Sequence, residues 1–219
     1  MQRVPEPELM DDPEQAMAYA CADFSEPHQA FVSYFRERFP DFEGGLVLDL
    51  GCGPADVTLR FARAYPEATV FGVDGAEPML ELGREAVELE GLDDRVTLTR
   101  AYLPATLSQM TRYDAVISNS LLHHLADPEV LWDTIKQNAK PGAPVFVMDL
   151  LRPHSIEEAE RLAEQYAADA PAVLQKDFFN SLLAAYQLDE IEAQLLAAGL
   201  RHLTAEQVSD RHVIVWGRM

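Results

Sequence analysis

The sequence is poor in basic residues, since 17 lysines and arginines are outnumbered by 37 aspartates and glutamates and the formal net charge is −20. So acidic a surface repels phosphate backbones and anionic membrane surfaces. We therefore expect neither a nucleic-acid partner nor a membrane partner. The acidity favours neutral or cationic small molecules as ligands.

Cysteine is also rare, because Cys21 and Cys52 are the only two in the chain. Two cysteines build neither a disulfide framework nor a thiolate metal cluster. No apolar run reaches the roughly 18 residues that a membrane span needs. The opening segment, MQRVPEPELMDDPEQ, is too polar and acidic for a secretory signal. These absences predict a reduced, cytoplasmic protein. The sequence leaves its oligomeric state, monomer or homodimer, open.

The 219 residues are enough for one domain with a substantial core, and from residue 45 onward strand-like and helix-like segments alternate. The predicted strands span 46–50, 68–74, 95–101, 113–119, 144–151, 201–209 and 211–219. Several are near-continuous apolar runs, as parallel strands buried on both faces are. The last two are joined so tightly that they must be antiparallel. The pattern predicts an α/β fold with a doubly wound, seven-stranded, mostly parallel sheet, Rossmann-like, which binds its ligand at the carboxyl ends of the strands.

A glycine-rich loop follows the first strand, in the stretch LVLDLGCGPADVTLRFA. Gly51 and Gly53 allow the backbone and the next helix's N-terminus to face a ligand. The third glycine of a dinucleotide-binding loop would fall at Asp56, where a carboxylate prevents close packing of helix and strand. Asp49, before the glycines, opposes a pyrophosphate and suits a cation. The loop therefore predicts a positively charged ligand.

A second acid, Asp74, ends the second predicted strand, in GVDGAEPM. A carboxylate at the tip of that strand can accept both hydroxyls of a ribose. Alternatively, Asp74 caps the helix that follows. It can bind a ribose and cap the helix at the same time.

These segments resemble the class I S-adenosylmethionine-dependent methyltransferases. VLDLGCGPAD resembles motif I of that family and VDGAEPML resembles motif II, while YDAVISNSLLHHLADP and KPGAPVFVMD are similar to the segments around the fourth and fifth strands. The resemblance covers roughly residues 45–150 and, in topology, the last two strands. It implies in-line methyl transfer from S-adenosylmethionine to a small-molecule acceptor, with S-adenosylhomocysteine as the product.

The resemblance also implies a set of cofactor-binding residues along the carboxyl edge of the sheet. Members of the family often carry an acid after the third strand that contacts adenine, whereas this chain has RAYLP there. We therefore expect backbone groups, or packing on two side chains of that segment, to hold adenine. The predicted cofactor residues are Asp49, Gly51, Cys52, Gly53, Asp74, Gly75, Met79, Tyr102, Leu103, Asn119 and, from the N-terminal helices, Tyr19.

His123 and His124 follow the fourth strand and are the predicted catalytic residues. They would face the methionine end of the cofactor and the acceptor, where either could serve as a general base. Because adjacent side chains on a helix point in different directions, at most one of them is expected to line the site, and His124 is the one we favour. The alternative to a catalytic role is that the histidine only packs against the edge of the sheet.

A metal site is not expected. His123, His124, Asp127 and Asp149 could be combined into one, but no i, i+4 pair of histidines supports it. Arg152 and the nearby His154 follow the fifth strand and could meet the acceptor, with a surface ion pair as the alternative for the arginine.

The helical segments 12–39 and 154–186 exceed what the scaffold needs. Asp12 and Ser25 can cap the first two helices. Tyr19 and Phe24 are expected to touch cofactor or acceptor, while most other aromatic residues there fill the core. We predict one domain with an N-terminal helical lid (1–44), a cofactor-binding core (45–151), a helical acceptor cap (152–187) and a last helix with the strand pair (188–219).

Two other functions stay open. One is a non-catalytic protein that binds S-adenosylmethionine or S-adenosylhomocysteine. The other is a nicotinamide-dependent oxidoreductase, which Asp49 and Asp56 disfavour. A protein acceptor docked in the lid region is also compatible with the sequence.

Overall fold

A seven-stranded sheet organises the chain in a computed structural model that describes residues 1–6, 9–104 and 112–219. The strand order is β3-β2-β1-β4-β5-β7-β6. All neighbours are parallel except β7, which runs antiparallel to both β5 and β6. The predicted doubly wound sheet with its antiparallel C-terminal pair is thus confirmed. The strands are β1 (Gly44–Leu50), β2 (Glu67–Asp74), β3 (Val96–Arg100), β4 (Ala115–Asn119), β5 (Pro144–Leu150), β6 (Thr204–Gln207) and β7 (His212–Arg218).

The direction in which successive strands are added to the sheet reverses between β1 and β4. From β1 the chain builds outward to β2 and β3, and it then returns to the other side of β1 with β4. In doubly wound sheets such a switch point leaves a crevice at the carboxyl ends of the strands. The glycine loop after β1 and the histidines after β4 therefore come to the same crevice.

Eight α-helices are present in the described ranges, together with a 3₁₀ turn at Leu122–His124. None of these helices has the length and apolar character that crossing a bilayer requires. Helices α3, α4 and α5 lie between strands, while α6 and α7 form the segment after β5. The helices are α1 (Pro13–Cys21), α2 (Ser25–Arg38), α3 (Asp56–Ala64), α4 (Glu77–Leu89), α5 (Glu129–Asn138), α6 (Ile156–Ala167), α7 (Ala172–Ala184) and α8 (Leu188–Ala197).

The caps of the first two helices differ from each other. Asp12 accepts a hydrogen bond from the backbone N–H of Gln15 at 2.9 Å, which confirms the predicted cap of α1. The cap predicted for Ser25 is wrong, because Ser25 is already the first residue of α2. Asp23 accepts hydrogen bonds there from both the backbone N–H and the hydroxyl of Ser25. The N-cap position of α2 is instead occupied by Phe24, which makes no side-chain cap hydrogen bond.

Helix α2 packs against α3 and fills the core on one face of the sheet. Phe31 and Phe35 are fully buried, and their rings contact Phe146 of β5 at centroid distances of 4.9 and 5.8 Å. The core-filling role expected for most of these aromatic residues therefore holds in α2. Helix α2 of the predicted lid (1–44) therefore packs mainly in the core, while His28 in its first turn reaches the ligand edge, where its Nδ1 lies 2.5 Å from Asp56 Oδ2.

Candidate functional site

The glycine loop is anchored to the end of β2. The backbone N–H groups of Gly51 and Cys52 donate to the carbonyl oxygen of Val73 at 2.8 and 3.1 Å. Gly51 has φ +74° and a Cβ there would lie 2.9 Å from Leu121, so this turn admits only glycine. At Gly53 (φ +51°), by contrast, no atom of the described residues lies within 4 Å of a Cβ position. The loop is closely packed at its first glycine and open at its second.

Asp74 connects this open glycine to the next helix. Its Oδ2 accepts a hydrogen bond from the N–H of Gly53 at 2.8 Å, and its Oδ1 accepts one from the N–H of Ala76 at 2.8 Å. The N-cap residue of α4 is Ala76, which has no side-chain cap hydrogen bond, so Asp74 closes the turn before the helix and the predicted capping role is wrong. A carboxylate offers about four acceptor positions, so both oxygens can accept further hydrogen bonds. Burial raises the pKa of Asp74 above its ordinary value.

Asp49 and Cys52 point beneath the loop instead of toward its open side. Asp49 is 1% exposed and accepts a hydrogen bond from the Thr58 hydroxyl at 2.6 Å. Burial raises the pKa of its carboxyl to about 7. The Cys52 sulfur lies 2.9 Å from where a Cβ of Gly72 would be, so it explains why β2 has a glycine there. These two side chains form the support of the loop.

The other predicted cofactor residues lie around the ends of β2, β3 and β4. Gly75 is overlain by Leu9 and by the Tyr102 ring, which would lie 2.6 and 3.2 Å from a Cβ at that position. Met79 is buried in a cluster that includes Ala16 of α1. The half-exposed Tyr102 ring receives a hydrogen bond on its hydroxyl from Arg100.

Leu103 and Asn119 complete this edge. Leu103 packs against the core cluster on the second face of the sheet. Asn119, the last residue of β4, donates from its amide nitrogen to the Ser120 hydroxyl at 3.2 Å. Both residues therefore lie at the strand ends where the sequence placed them.

Tyr19 brings α1 to the same edge. Its ring contacts Phe24 at a centroid distance of 4.7 Å. Burial, together with the negative charges of Asp56 and Asp74, raises the pKa of Tyr19 to about 12. The phenol is therefore neutral and lies in the negative field of the strand-end carboxylates.

The two histidines form a compact group with Asp149 of β5. His123 is buried, and its Nδ1 donates to Asp149 Oδ1 at 2.5 Å. Asp149 Oδ2 accepts the N–H of Leu122 at 2.7 Å and so holds the 3₁₀ turn in place. Burial alone lowers the pKa of His123, but the charge and hydrogen bond of Asp149 outweigh it and raise the pKa above its ordinary value. The reciprocal effect of His123 holds the pKa of Asp149 below its ordinary value despite burial.

Both histidines approach one carboxylate, that of Glu6. Glu6 Oε1 lies 3.5 Å from His123 Nε2 and 3.4 Å from His124 Nδ1, and the two imidazole centroids are 4.2 Å apart. The expectation that the two side chains point in different directions is therefore wrong. The tight 3₁₀ turn, pinned by Asp149, gathers the two rings where a regular α-helix would separate them.

The N-terminal segment, residues 1–6, runs between the 3₁₀ turn and α7. Arg3 donates to the carbonyl oxygens of His123 and Leu125 at 2.8 and 3.1 Å. Its guanidinium also stacks on the Tyr186 ring, 4.1 Å from the centroid. Glu6 accepts a hydrogen bond from the Ser181 hydroxyl of α7 at 2.9 Å. Sequence reasoning missed both Arg3 and Glu6, because no local motif marks a residue whose partners are more than 100 positions away.

Arg152 and His154 do not join this group. Arg152 is buried and donates to Glu190 Oε1 at 2.7 Å and to the Ala185 carbonyl at 2.9 Å. It therefore forms the ion pair considered from the sequence, with Glu190 of α8, although the guanidinium is buried and only the glutamate is partly exposed. His154 is exposed. Asp127 also belonged to the metal set considered from the sequence. It accepts a hydrogen bond at 3.0 Å from the backbone N–H of Glu129, the first residue of α5.

Residues 47–142 match the model of a family described as a methyltransferase domain. The 27-O-demethylrifamycin SV methyltransferase of Amycolatopsis mediterranei is 30% identical over 76% of this chain and 57% of its own length. A probable fatty acid methyltransferase of Pseudomonas putida is 34% identical over 51% of this chain and 30% of its own. The chain thus spans about a third to three-fifths of the length of these two relatives.

Solved structures share the fold over nearly the whole chain. A SAM-dependent methyltransferase from Aquifex aeolicus has a TM-score of 0.69 at 18% identity and covers 94% of this chain and 98% of its own. The plantazolicin methyltransferase BpumL, in complex with a triazolic desmethylPZN analog and SAH, has a TM-score of 0.69 at 14% identity and covers 94% and 91% of the two chains.

Proposed function

We propose that this chain, which belongs to the class I S-adenosylmethionine-dependent methyltransferases, transfers a methyl group from S-adenosylmethionine to a small-molecule acceptor. One observation carries the proposal. Asp74 ends β2 with its carboxylate bound to the N–H of Gly53, at the open side of the glycine loop. This places hydrogen-bond acceptors for a ribose directly beside a backbone that a ligand can approach.

The residues at this edge fit the proposed cofactor. S-adenosylmethionine supplies a methyl group on a positively charged sulfur, and its net charge suits the acids that gather here. Asp74 and the Gly53 backbone would hold the ribose and amino-acid portions. The Tyr102 ring, beside Gly75, and Leu103 would pack on the adenine.

The remaining residues of the predicted cofactor set would surround or support this site. Met79, Asn119 and Tyr19 border the same space, while Asp49 and Cys52 support the loop from below.

A dinucleotide fits this loop poorly. Asp56 stands at the N-terminus of α3, where a pyrophosphate would bind. Burial acts to raise the pKa of Asp56, but hydrogen bonds from His28 and Arg60 lower it to about 2, so the group is ionised. A diphosphate at that point would have to compete with this carboxylate for Arg60 and His28. This favours the methyltransferase over the nicotinamide-dependent alternative.

The acceptor would bind next to the 3₁₀ turn, under a lid made of residues 1–6, α1 and α7. Helix α1 packs against α4 and α7, and Gln15 of α1 donates to Asp177 of α7 at 2.7 Å. Alignment and exclusion of water supply much of the rate of methyl transfer. His123 and His124 remain the predicted catalytic residues, since they lie at the edge where the acceptor would meet the methyl group.

The charge of −20 and the two free thiols, Cys21 and Cys52, support a cytoplasmic enzyme that has neither nucleic acid nor membrane as a partner. A monomer and a homodimer both fit this proposal. Methyl transfer to a small molecule by the purified protein would separate the enzyme from the non-catalytic binding protein.

Asp74→Ala is expected to weaken binding of S-adenosylmethionine by about 1–3 kcal/mol, roughly 5- to 150-fold, because ribose hydroxyls lose their acceptors. Titration calorimetry on the purified proteins measures this. Glu81→Ala, which removes an exposed acid of α4, serves as the control and should bind like the wild type. Thermal unfolding without ligand shows whether the Asp74 variant is folded. Unchanged affinity in a folded variant would remove Asp74 from the cofactor site and overturn the proposal.

The lid makes a separate prediction. S-adenosylmethionine is expected to protect the N-terminal 21 residues from a glutamate-specific protease, because a bound ligand stabilises the closed packing of α1 on α4 and α7. Mass spectrometry measures the rate of cleavage after Glu14, which is exposed. Cleavage after the exposed Glu192 of α8 provides the internal control and should keep its rate. Equal rates after Glu14 with and without ligand would contradict the lid.

A further inference from the structure

We propose that Glu6, His123 and His124 form a binding site for a divalent transition-metal ion. Its position beside the cofactor rests on the proposed function, but the site itself is built from residues that neither the glycine loop nor Asp74 involves. The ligand atoms would be Glu6 Oε1, His123 Nε2 and His124 Nδ1, which all lie within 4.8 Å of one another.

The spacing of these three atoms matches a shared ion better than direct hydrogen bonds. Glu6 Oε1 is 3.5 and 3.4 Å from the two nitrogens, whereas hydrogen bonds between nitrogen and oxygen centre on about 2.9–3.0 Å. Zinc binds histidine nitrogen and carboxylate oxygen at about 2.0–2.2 Å. Two ligands of a tetrahedral ion at that bond length lie about 3.3–3.5 Å apart. The observed distances therefore fall on the edges of such a tetrahedron.

Neighbouring residues orient the proposed ligands. Histidines that bind metals almost always donate their other ring N–H to a carboxylate or carbonyl oxygen, which fixes the tautomer. His123 does this with Asp149 at 2.5 Å, which leaves its Nε2, 3.5 Å from Glu6 Oε1, as the atom that can bind the ion. The Ser181 hydroxyl donates to Glu6 Oε1 at 2.9 Å and holds that side chain in place.

Burial and charge also favour a cation at this point. The side chains of Glu6 and Asp149 are only 10% and 2% exposed. Two carboxylates that have lost this much water require positive charge nearby. Arg3 supplies one charge, and its guanidinium is occupied by the carbonyl oxygens of His123, Leu125 and Ala184. A divalent ion held by neutral imidazoles would supply the remaining positive charge, in place of the proton that the two carboxylates otherwise favour on His123.

The three ligand side chains indicate which ions would bind and which chemical group of the acceptor could reach the ion. Two imidazoles and one carboxylate suit zinc and its first-row neighbours. Three protein ligands leave at least one coordination position open, as in catalytic metal sites. A hydroxyl or carboxylate oxygen of the acceptor would fill that position, and a bound hydroxyl would release its proton to water more readily. The site therefore assigns to the acceptor an oxygen function that can bind a metal.

Titration of chelator-treated full-length protein with Zn²⁺ alone, and with Co²⁺ followed by visible absorption, tests the proposal. One ion per chain is expected, with tetrahedral-type Co²⁺ bands. Glu6→Gln and His124→Ala should each weaken binding at least tenfold, and Asp149→Asn roughly 10- to 100-fold. The matched control is His154→Ala, which removes an exposed histidine and should leave binding unchanged.

Glu6→Gln decides the result if a histidine variant fails to fold, because Glu6 lies outside the sheet and its helices. No binding to the wild type, or equal affinity in wild type and Glu6→Gln, would overturn the metal site. Calorimetry with S-adenosylmethionine on metal-free protein keeps the two proposals apart. Cofactor binding without metal binding would refute only the metal site, and metal binding without cofactor binding would refute only the proposed function.

Discussion

Replacing Asp49 by asparagine is expected to remove a pH dependence worth about 4 kcal/mol from the free energy of unfolding. Burial raises the pKa of Asp49 to about 7, compared with about 3.9 in an unfolded chain. Each unit of difference corresponds to about 1.36 kcal/mol. The folded protein must either keep this carboxyl protonated or bury its charge, and both cost free energy once the unfolded chain is ionised.

The direction of this effect follows from proton binding. Between pH 4 and 7 the folded state holds a proton on Asp49 that the unfolded state has released, so stability falls as pH rises. The loss begins near the unfolded pKa and is complete above the folded one. An asparagine can still accept the Thr58 hydroxyl, but it does not titrate. The variant should therefore match the wild type near pH 4 and exceed it in stability at pH 8.

Urea unfolding at several pH values between 4 and 8 measures the effect as the difference between the two proteins. Asp94→Asn, which replaces an exposed aspartate, is the control and should give a curve parallel to the wild type. A parallel curve for Asp49→Asn would show that Asp49 ionises normally. With saturating S-adenosylmethionine the wild-type slope should flatten, since a cation bound near the loop favours the carboxylate.

Phe35→Ala is expected to lower the free energy of unfolding by about 3–5 kcal/mol, because it leaves a cavity in a fully packed core. Phe35 is fully buried in α2. Its ring contacts those of Phe39, Phe42, Phe61, Tyr65 and Phe146 at centroid distances of 4.9–5.8 Å. The aromatic cluster joins α2 to α3 and to the sheet, so the loss should appear as global destabilisation.

Denaturant unfolding measures this change, and Phe35→Leu, which keeps most of the volume, should cost less. The affinity of folded Phe35→Ala for S-adenosylmethionine should equal that of the wild type, because the Phe35 ring is buried among core aromatic rings and not at the ligand edge. A loss below 1 kcal/mol would contradict the core role. Reduced affinity in protein that is still folded would indicate that α2 helps to form the ligand site as part of the lid.

The sequence by itself determined the scaffold and the nature of the ligand edge. Strand and helix periodicities are local, so they predicted the sheet and its antiparallel end from segments such as LVLDL and RHVIVWGRM. The glycine loop was equally readable, since Gly51 adopts a conformation that only a residue without a Cβ fits. Asp74 was identified for the same reason, because the end of a parallel strand defines where its side chain lies.

Only the tertiary structure decided what surrounds each of these groups. Asp49 was expected to serve a cationic ligand, yet its carboxylate lies against Thr58 beneath the loop, and burial shifts its pKa. The histidines were expected to diverge, yet Asp149 of another strand pins both beside Glu6. Burial and long-range contacts depend on how the whole chain packs. No local pattern encodes the meeting of Glu6 with a turn more than 100 residues away.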